Sequence, residues 1–175
     1  LVLIQSQAAP ASRATGEHPV IDTGSLKDPV LPFLRGLSHL VAPRNFLDSW
    51  LARNAPHLTG GGDAVQLDAV ANHFECEVFV VTEGARGGAV WHQGRAWRFP
   101  AHPTEVVDSN GAGDVFHGGL VWALAEGHQL DLAIATAAWA AAMKCEGMAN
   151  TTLPTARDAE RFLAQNRTPR RSSIA

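Results

Sequence analysis

Five successive residues, Val78-Phe79-Val80-Val81-Thr82, are aromatic or β-branched with no polar interruption. A strand with one wet face alternates apolar and polar side chains, so an unbroken run of this kind needs cover on both faces. Helices packed on both sides of a mostly parallel sheet provide it. The rest of the chain is laid out to match. Residues 1–4, 20–22 and 39–42 read as further short strands, the last cut by Pro43. Residues 45–53 set Phe46, Leu47, Trp50 and Leu51 along one side of a helix, and residues 64–74 form another. Gln93-Gly94 joins two short apolar runs and predicts a hairpin. A helix follows residue 114 and stops at Gly127, and residues 132–145 form an alanine-rich one. Thr155-Ala156-Arg157-Asp158 reads as a capping box opening a helix to about Gln165. Residues 5–18 read as loop and residues 28–35 as a short helix. The expected class is α/β: a mostly parallel sheet flanked by helices, with one antiparallel hairpin.

Composition narrows the function. The chain has 175 residues, 46% of them hydrophobic, enough for one packed core and short for two. A formal charge of −3 argues against a nucleic-acid binder. No apolar run approaches the ~20 residues of a spanning helix. Residues 1–4 are too short for a signal-peptide core. Two cysteines, Cys76 and Cys145, fit a reduced, cytoplasmic chain better than a disulfide framework.

The chemistry gathers at Gly111-Ala112-Gly113-Asp114, where a loop enters an apolar helix. The first amides of a helix have no internal acceptor, and the helix dipole adds positive charge there. Two glycines let an oxyanion approach the backbone, so the turn can cradle a phosphate. Asp114 would repel a phosphate lying on it. Beside the phosphate, it can take the proton of an attacking hydroxyl. Capping the helix is the alternative role for the same carboxylate. The Walker, Gly-x-Gly-x-x-Gly and Gly-x-Ser-x-Gly patterns are all absent, as are His-Glu-x-x-His and Cys-x-x-Cys.

Residues 107–116, Val-Asp-Ser-Asn-Gly-Ala-Gly-Asp-Val-Phe, resemble the second signature of the ribokinase-like (PfkB) carbohydrate kinases. Residues 80–87 resemble that family's strand and nucleotide loop. Residues 140–147, followed by Pro154, resemble its late helix and cation loop. The three segments occur in family order. The resemblance implies a ribokinase-like fold and ATP-dependent phosphoryl transfer to a sugar hydroxyl. It makes Asp114 the catalytic base and gives Gly111, Ala112 and Gly113 the anion hole. Thr82, Gly84 and Gly87 would line the nucleotide site. Asn45 and Asp48 stand for an Asn-x-x-Glu motif that organises Mg2+ and phosphates, with Asp a shorter reach than Glu. Asp108, the carbonyls of Asn110, Ala142, Cys145 and Gly147, and Thr151 match the loop for a monovalent cation such as K+. Lys144-Cys145 in that loop resembles ketohexose-type members.

The family's N-terminal half, with its sugar motif and lid, has no counterpart in these residues. We therefore expect a partial catalytic domain over residues 1–166, a disordered basic tail over 167–175, and poor kinase activity from this chain alone. The expected partner is a small sugar, with no nucleic acid or membrane, and a homodimer is left open. A non-catalytic nucleotide-binding or regulatory remnant is the competing function. His117 reads as a helix-surface histidine, and Lys27 and Arg44 as surface cations.

Overall fold

The computed structural model describes residues 2–5, 19–22, 31, 34–166 and 171–174. A seven-stranded sheet runs in chain order through β1 (Val2–Gln5), β2 (Pro19–Asp22), β3 (His39–Pro43), β4 (Val78–Thr82), β5 (Gly88–His92), β6 (Arg95–Phe99) and β7 (Ser172–Ser173). The first four strands are parallel; β5 runs antiparallel to β4, and β7 antiparallel to β6. Val80 of β4 sits between Val41 of β3 and Val90 of β5. Val78 through Val81 are all buried, so the strand is covered on both faces, as its unbroken apolar run requires.

Two compact units divide the chain. The first comprises the described residues of 1–83, 88–98 and 172–175; the second comprises residues 84–87 and 99–171. In the first, α1 (Arg44–Asn54) and α2 (Asp63–Phe74) pack against the sheet. Pro43 ends β3 and caps α1, its φ of −74° suiting both. Phe46, Leu47, Trp50 and Leu51 of α1 are buried with Leu67, Val70 and Phe74 of α2, over Leu40, Phe79 and Val81. Burying each such large side chain contributes about 1.5–3 kcal/mol. The β5–β6 turn holds Gln93 at φ 51° and Gly94 at φ 74°, the left-handed pair that a two-residue hairpin needs.

In the second unit, α3 (Ala112–Ala125), α4 (Leu130–Cys145) and α5 (Ala156–Gln165) pack together. A Cβ placed on Gly119 of α3 would lie 3.1 Å from Ala137 Cα and 3.3 Å from Ala140 Cβ. The alanines of α4 therefore serve close helix contact. Trp139 stacks on Phe162 of α5, with ring centroids 5.0 Å apart. The capping box of α5 is formed in both directions between Thr155 and Asp158.

Two expectations change. Residues 167–175 are not uniformly without structure: Ser172–Ser173 is a strand on Trp97 and Arg98, and Ile174 N donates to Ala96 O. The open backbone of β6 supplies partners that composition does not reveal. His117 is buried at 5% exposure, with Nδ1 2.6 Å from Gly113 O one turn back. Helical side chains lean toward the N-terminus, which carries the ring inward over its own first turn. The expected loop over residues 5–18 falls almost wholly outside the described residues, as does Lys27; of the expected helix over 28–35 only Leu31, Leu34 and Arg35 are described, none of them α-helical. Among the described residues, no helix is long and apolar enough to cross a membrane.

Candidate active site

Gly111 opens α3 from the left-handed region, φ 79°, a conformation that glycine adopts without strain. It lets the chain turn sharply from the preceding loop into the helix. Ala112 N donates to Ser109 O, and Val115 N makes the first helical bond, to Gly111 O. The amides of Gly113 and Asp114 have no acceptor among the described residues. A Cβ on Gly113 would meet nothing within 4 Å, so the space above this turn is open. These are the features of an anion cradle.

Asp114 lies at the third helical position and is exposed. A capping carboxylate there would bond back to the residue that opens the helix. No side-chain cap bond is made at this end, and among the described residues Asp114 has no hydrogen-bond or ion-pair partner. Its charge in the first turn still suits the helix dipole.

Beneath the turn, Asp108 is tightly held. Its Oδ1 accepts from Asn110 N at 2.9 Å, and its Oδ2 from Ala149 N at 3.0 Å and Lys144 Nζ at 3.2 Å. Those bonds, the Asn110 amide first, keep its carboxyl below the usual aspartate range. The structure gathers the residues matched to a cation loop, and most are already engaged. Cys145 O accepts from the amides of Val107 and Asp108, and the Thr104 hydroxyl donates to Glu146 Oε1 at 2.9 Å, with Ala142 O farther off at 3.3 Å. Thr151 Oγ1 donates to Met148 O. A Cβ on Gly147 would stand 2.6 Å from Thr151 Oγ1, so this loop closes tightly. The Cys145 side chain is buried.

Lys144 is the residue that sequence reasoning left out of the site. It is 1% exposed, and Nζ donates to Asp108 O at 2.9 Å as well as to the carboxylate. A lysine in the last turn of an otherwise apolar, alanine-rich helix was the available signal.

Gly84 and Gly87 bracket a short 3-10 turn, Gly84–Arg86, directly after β4. Gly87 has φ 78°, and a Cβ there would lie 2.1 Å from Phe99 O. Only glycine fits that position. Thr82 ends β4, paired with Pro43 and Gly88. Asn45 and Asp48 are exposed on α1, three residues apart and so on neighbouring positions of one face. Asp48 Oδ1 accepts from Arg44 Nε at 2.8 Å. Arg44 is no lone surface cation: it also pairs with Asp63 at 3.0 Å and Glu83 at 3.4 Å, and Arg98 binds the same two carboxylates. Asn45, Asp48 and Thr82 belong to the first unit, and Gly84, Gly87 and the Gly111 turn to the second.

The model of the pfkB family carbohydrate kinases matches residues 47–156, well over half of the chain. An adenosine kinase from Schizosaccharomyces pombe is 35% identical over 86 residues, 47% of this chain and 25% of its own length. A ribokinase from Thermotoga maritima superposes with a TM-score of 0.74 at 19% identity, over 85% of this chain and 50% of that one. An Arabidopsis thaliana ribokinase complexed with ribose and ATP gives a TM-score of 0.68 at 21% identity, over 83% of this chain and 47% of that one. The fold is thus ribokinase-like, and the chain spans from a quarter to half of the length of these relatives. By that match over residues 47–156, the chain belongs to the pfkB family of carbohydrate kinases.

Proposed function

We propose that this chain carries the phosphoryl-transfer half of an ATP-dependent carbohydrate kinase whose acceptor is a hydroxyl of a sugar or sugar derivative. One observation carries the reading: at the start of α3 an exposed aspartate stands beside two helix amides, none of the three with a hydrogen-bond partner among the described residues. The amides of Gly113 and Asp114 and the dipole of α3 would stabilise charge on a transferred phosphoryl group. Asp114 would orient the hydroxyl and accept its proton. Because an alcohol is a weak acid, positioning and charge stabilisation contribute more than early proton removal.

ATP, when bound, supplies the γ-phosphoryl group, and Mg2+ neutralises phosphate charge. Thr82, Gly84 and Gly87 would hold the nucleotide, on the strength of the strand-to-turn geometry after β4. Mg2+ keeps most of its waters and needs few direct protein ligands. Asn45 and Asp48 fit that demand, both exposed on one stretch of α1, with Asp48 paired to Arg44 at 2.8 Å. A cytoplasmic location suits an enzyme that draws on ATP.

The test is Asp114→Asn in a polypeptide in which the remaining half of the fold is present. Turnover should fall by about 10²–10⁴-fold, the range for removing a general base. Nucleotide affinity should stay within about threefold, since the amides remain. Unchanged turnover would reject the reading. Nucleotide binding without any sugar-dependent turnover in the intact protein would favour the competing one, a non-catalytic nucleotide-binding module. The quarter- to half-length coverage of the relatives keeps that second reading in view.

A further inference from the structure

The loop under α3 brings together the residues matched to a monovalent-cation site, yet it already contains a cation. Lys144 Nζ sits on both oxygens that Asp108 presents to it, the backbone carbonyl at 2.9 Å and Oδ2 at 3.2 Å. The lysine is almost fully buried, and its own carbonyl is fixed by Thr152 Oγ1 at 3.0 Å. We infer that Lys144 supplies, from within the chain, the positive charge a K+ ion would bring to this loop, and that the protein needs no monovalent cation.

Charge makes the first argument. The cation would be drawn by one carboxylate, Asp108, and that charge is balanced by the ammonium. Adding K+ beside the ammonium would put two positive charges on one carboxylate, and like charges at that range repel. Donor supply makes the second. K+ is a hard cation that takes oxygen ligands, and here the Cys145 carbonyl already accepts two amides, while the Thr151 hydroxyl donates to Met148 O. With its carboxylate held by the ammonium and these two oxygens engaged, the loop is a poor fit for a resident K+ as it stands.

Position makes the third. A Cβ on Gly111 would lie 3.9 Å from Lys144 Cε, so the lysine stem passes under the turn that opens α3. Through Asp108, whose carboxylate also receives the amides of Asn110 and Ala149, the ammonium ties the end of α4 to residues 108–111. Lys144 is thus a positioning residue for the anion cradle. That catalytic consequence rests on the phosphoryl-transfer reading; the cation inference does not.

The experiment compares thermal melts of the chain in KCl and in tetramethylammonium chloride at equal ionic strength. The wild-type protein should melt within about 1 °C in the two salts, since an ion that binds the native state raises Tm and one that does not leaves it. Lys144→Ala and Lys144→Gln should melt lower. Both should regain about 3 °C or more in KCl over tetramethylammonium, as K+ enters the vacated site. A K+-specific rise of that size in the wild-type protein overturns the inference. So do variants that fold and respond equally to both salts. If neither variant folds, the wild-type comparison decides alone. Turnover of the intact kinase in the two salts is the companion measurement: activity that needs K+ counts against Lys144, whereas absence of activity in both salts counts against the kinase reading only.

Discussion

Gly87 carries a constraint that can be read from its own coordinates. At φ 78°, any L-residue is strained, and a Cβ would stand 2.1 Å from Phe99 O and 2.6 Å from Ala101 N. The strain amounts to about 1–2 kcal/mol, and the overlap adds about 1–3 kcal/mol because backbone must move. Gly87→Ala should therefore lower unfolding free energy by about 2–5 kcal/mol in urea titrations. A loss below about 0.5 kcal/mol would mean that the turn after β4 is not built as described. The cysteines support a second residue-scale prediction. Burial pushes the Cys76 thiol up to about 12, and Cys145 is also buried. Neither should react with a thiol reagent at pH 8 until the chain is unfolded, because the thiolate is the reactive form and access is denied. Rapid labelling of the native protein would contradict the burial of both. Asp114 and the Gly111 turn were legible in the sequence because their geometry is local, set within four residues. Lys144 and His117 were not, because burial depends on what packs over a helix face. Lys144 meets its partner Asp108 across 36 positions of chain.

Among the elements, those with local punctuation emerged as written. The Gln93-Gly94 hairpin, the Gly127 stop and the Thr155 capping box each depend on two to four neighbouring residues. β7 was missed because a two-residue strand exists only through its partner, and the Arg44–Asp63–Glu83–Arg98 cluster because its members come from four separated segments. The α5 cap yields a prediction with a pH signature. Bonds from the Thr155 side chain, then its amide, hold the Asp158 carboxyl below the usual range. A depressed folded value means that the carboxylate stabilises α5 fully above the ordinary aspartate range. The contribution disappears as pH falls through the lowered value. Urea midpoints of wild-type protein and Asp158→Ala should thus differ at pH 7 and begin to converge only below about pH 4, as pH falls through the lowered value. A gap that stays constant would show that the loss is not electrostatic. Between α3 and α4, Gly119→Val should destabilise by about 1–3 kcal/mol, as side chains forced into a close-packed interface do. Ala137 Cα stands 3.1 Å from the new Cβ, and backbone cannot yield as a flexible side chain can.

At the scale of the whole molecule, the chain covers 50% of one ribokinase and 47% of another, with most of its own length aligned to each. The residues that would handle phosphate and proton lie within this part, which spans from a quarter to half of its relatives' length. Transfer to a sugar depends on holding the hydroxyl in line with the phosphoryl group. Orientation of this kind can correspond to effective concentrations of about 10⁵–10⁸ M. A site that binds nucleotide without gripping the acceptor loses that advantage while keeping its amides and its aspartate. The 175-residue chain should accordingly turn over sugar at least about 10³-fold more slowly than a polypeptide with the remaining half of the fold restored. Its nucleotide affinity should change far less, because the residues proposed for the nucleotide all lie between 45 and 114. Side-by-side sugar-dependent ADP release and nucleotide titrations on the two polypeptides measure both quantities. Equal turnover would place the acceptor site within these residues and refute the division of labour proposed for the two halves.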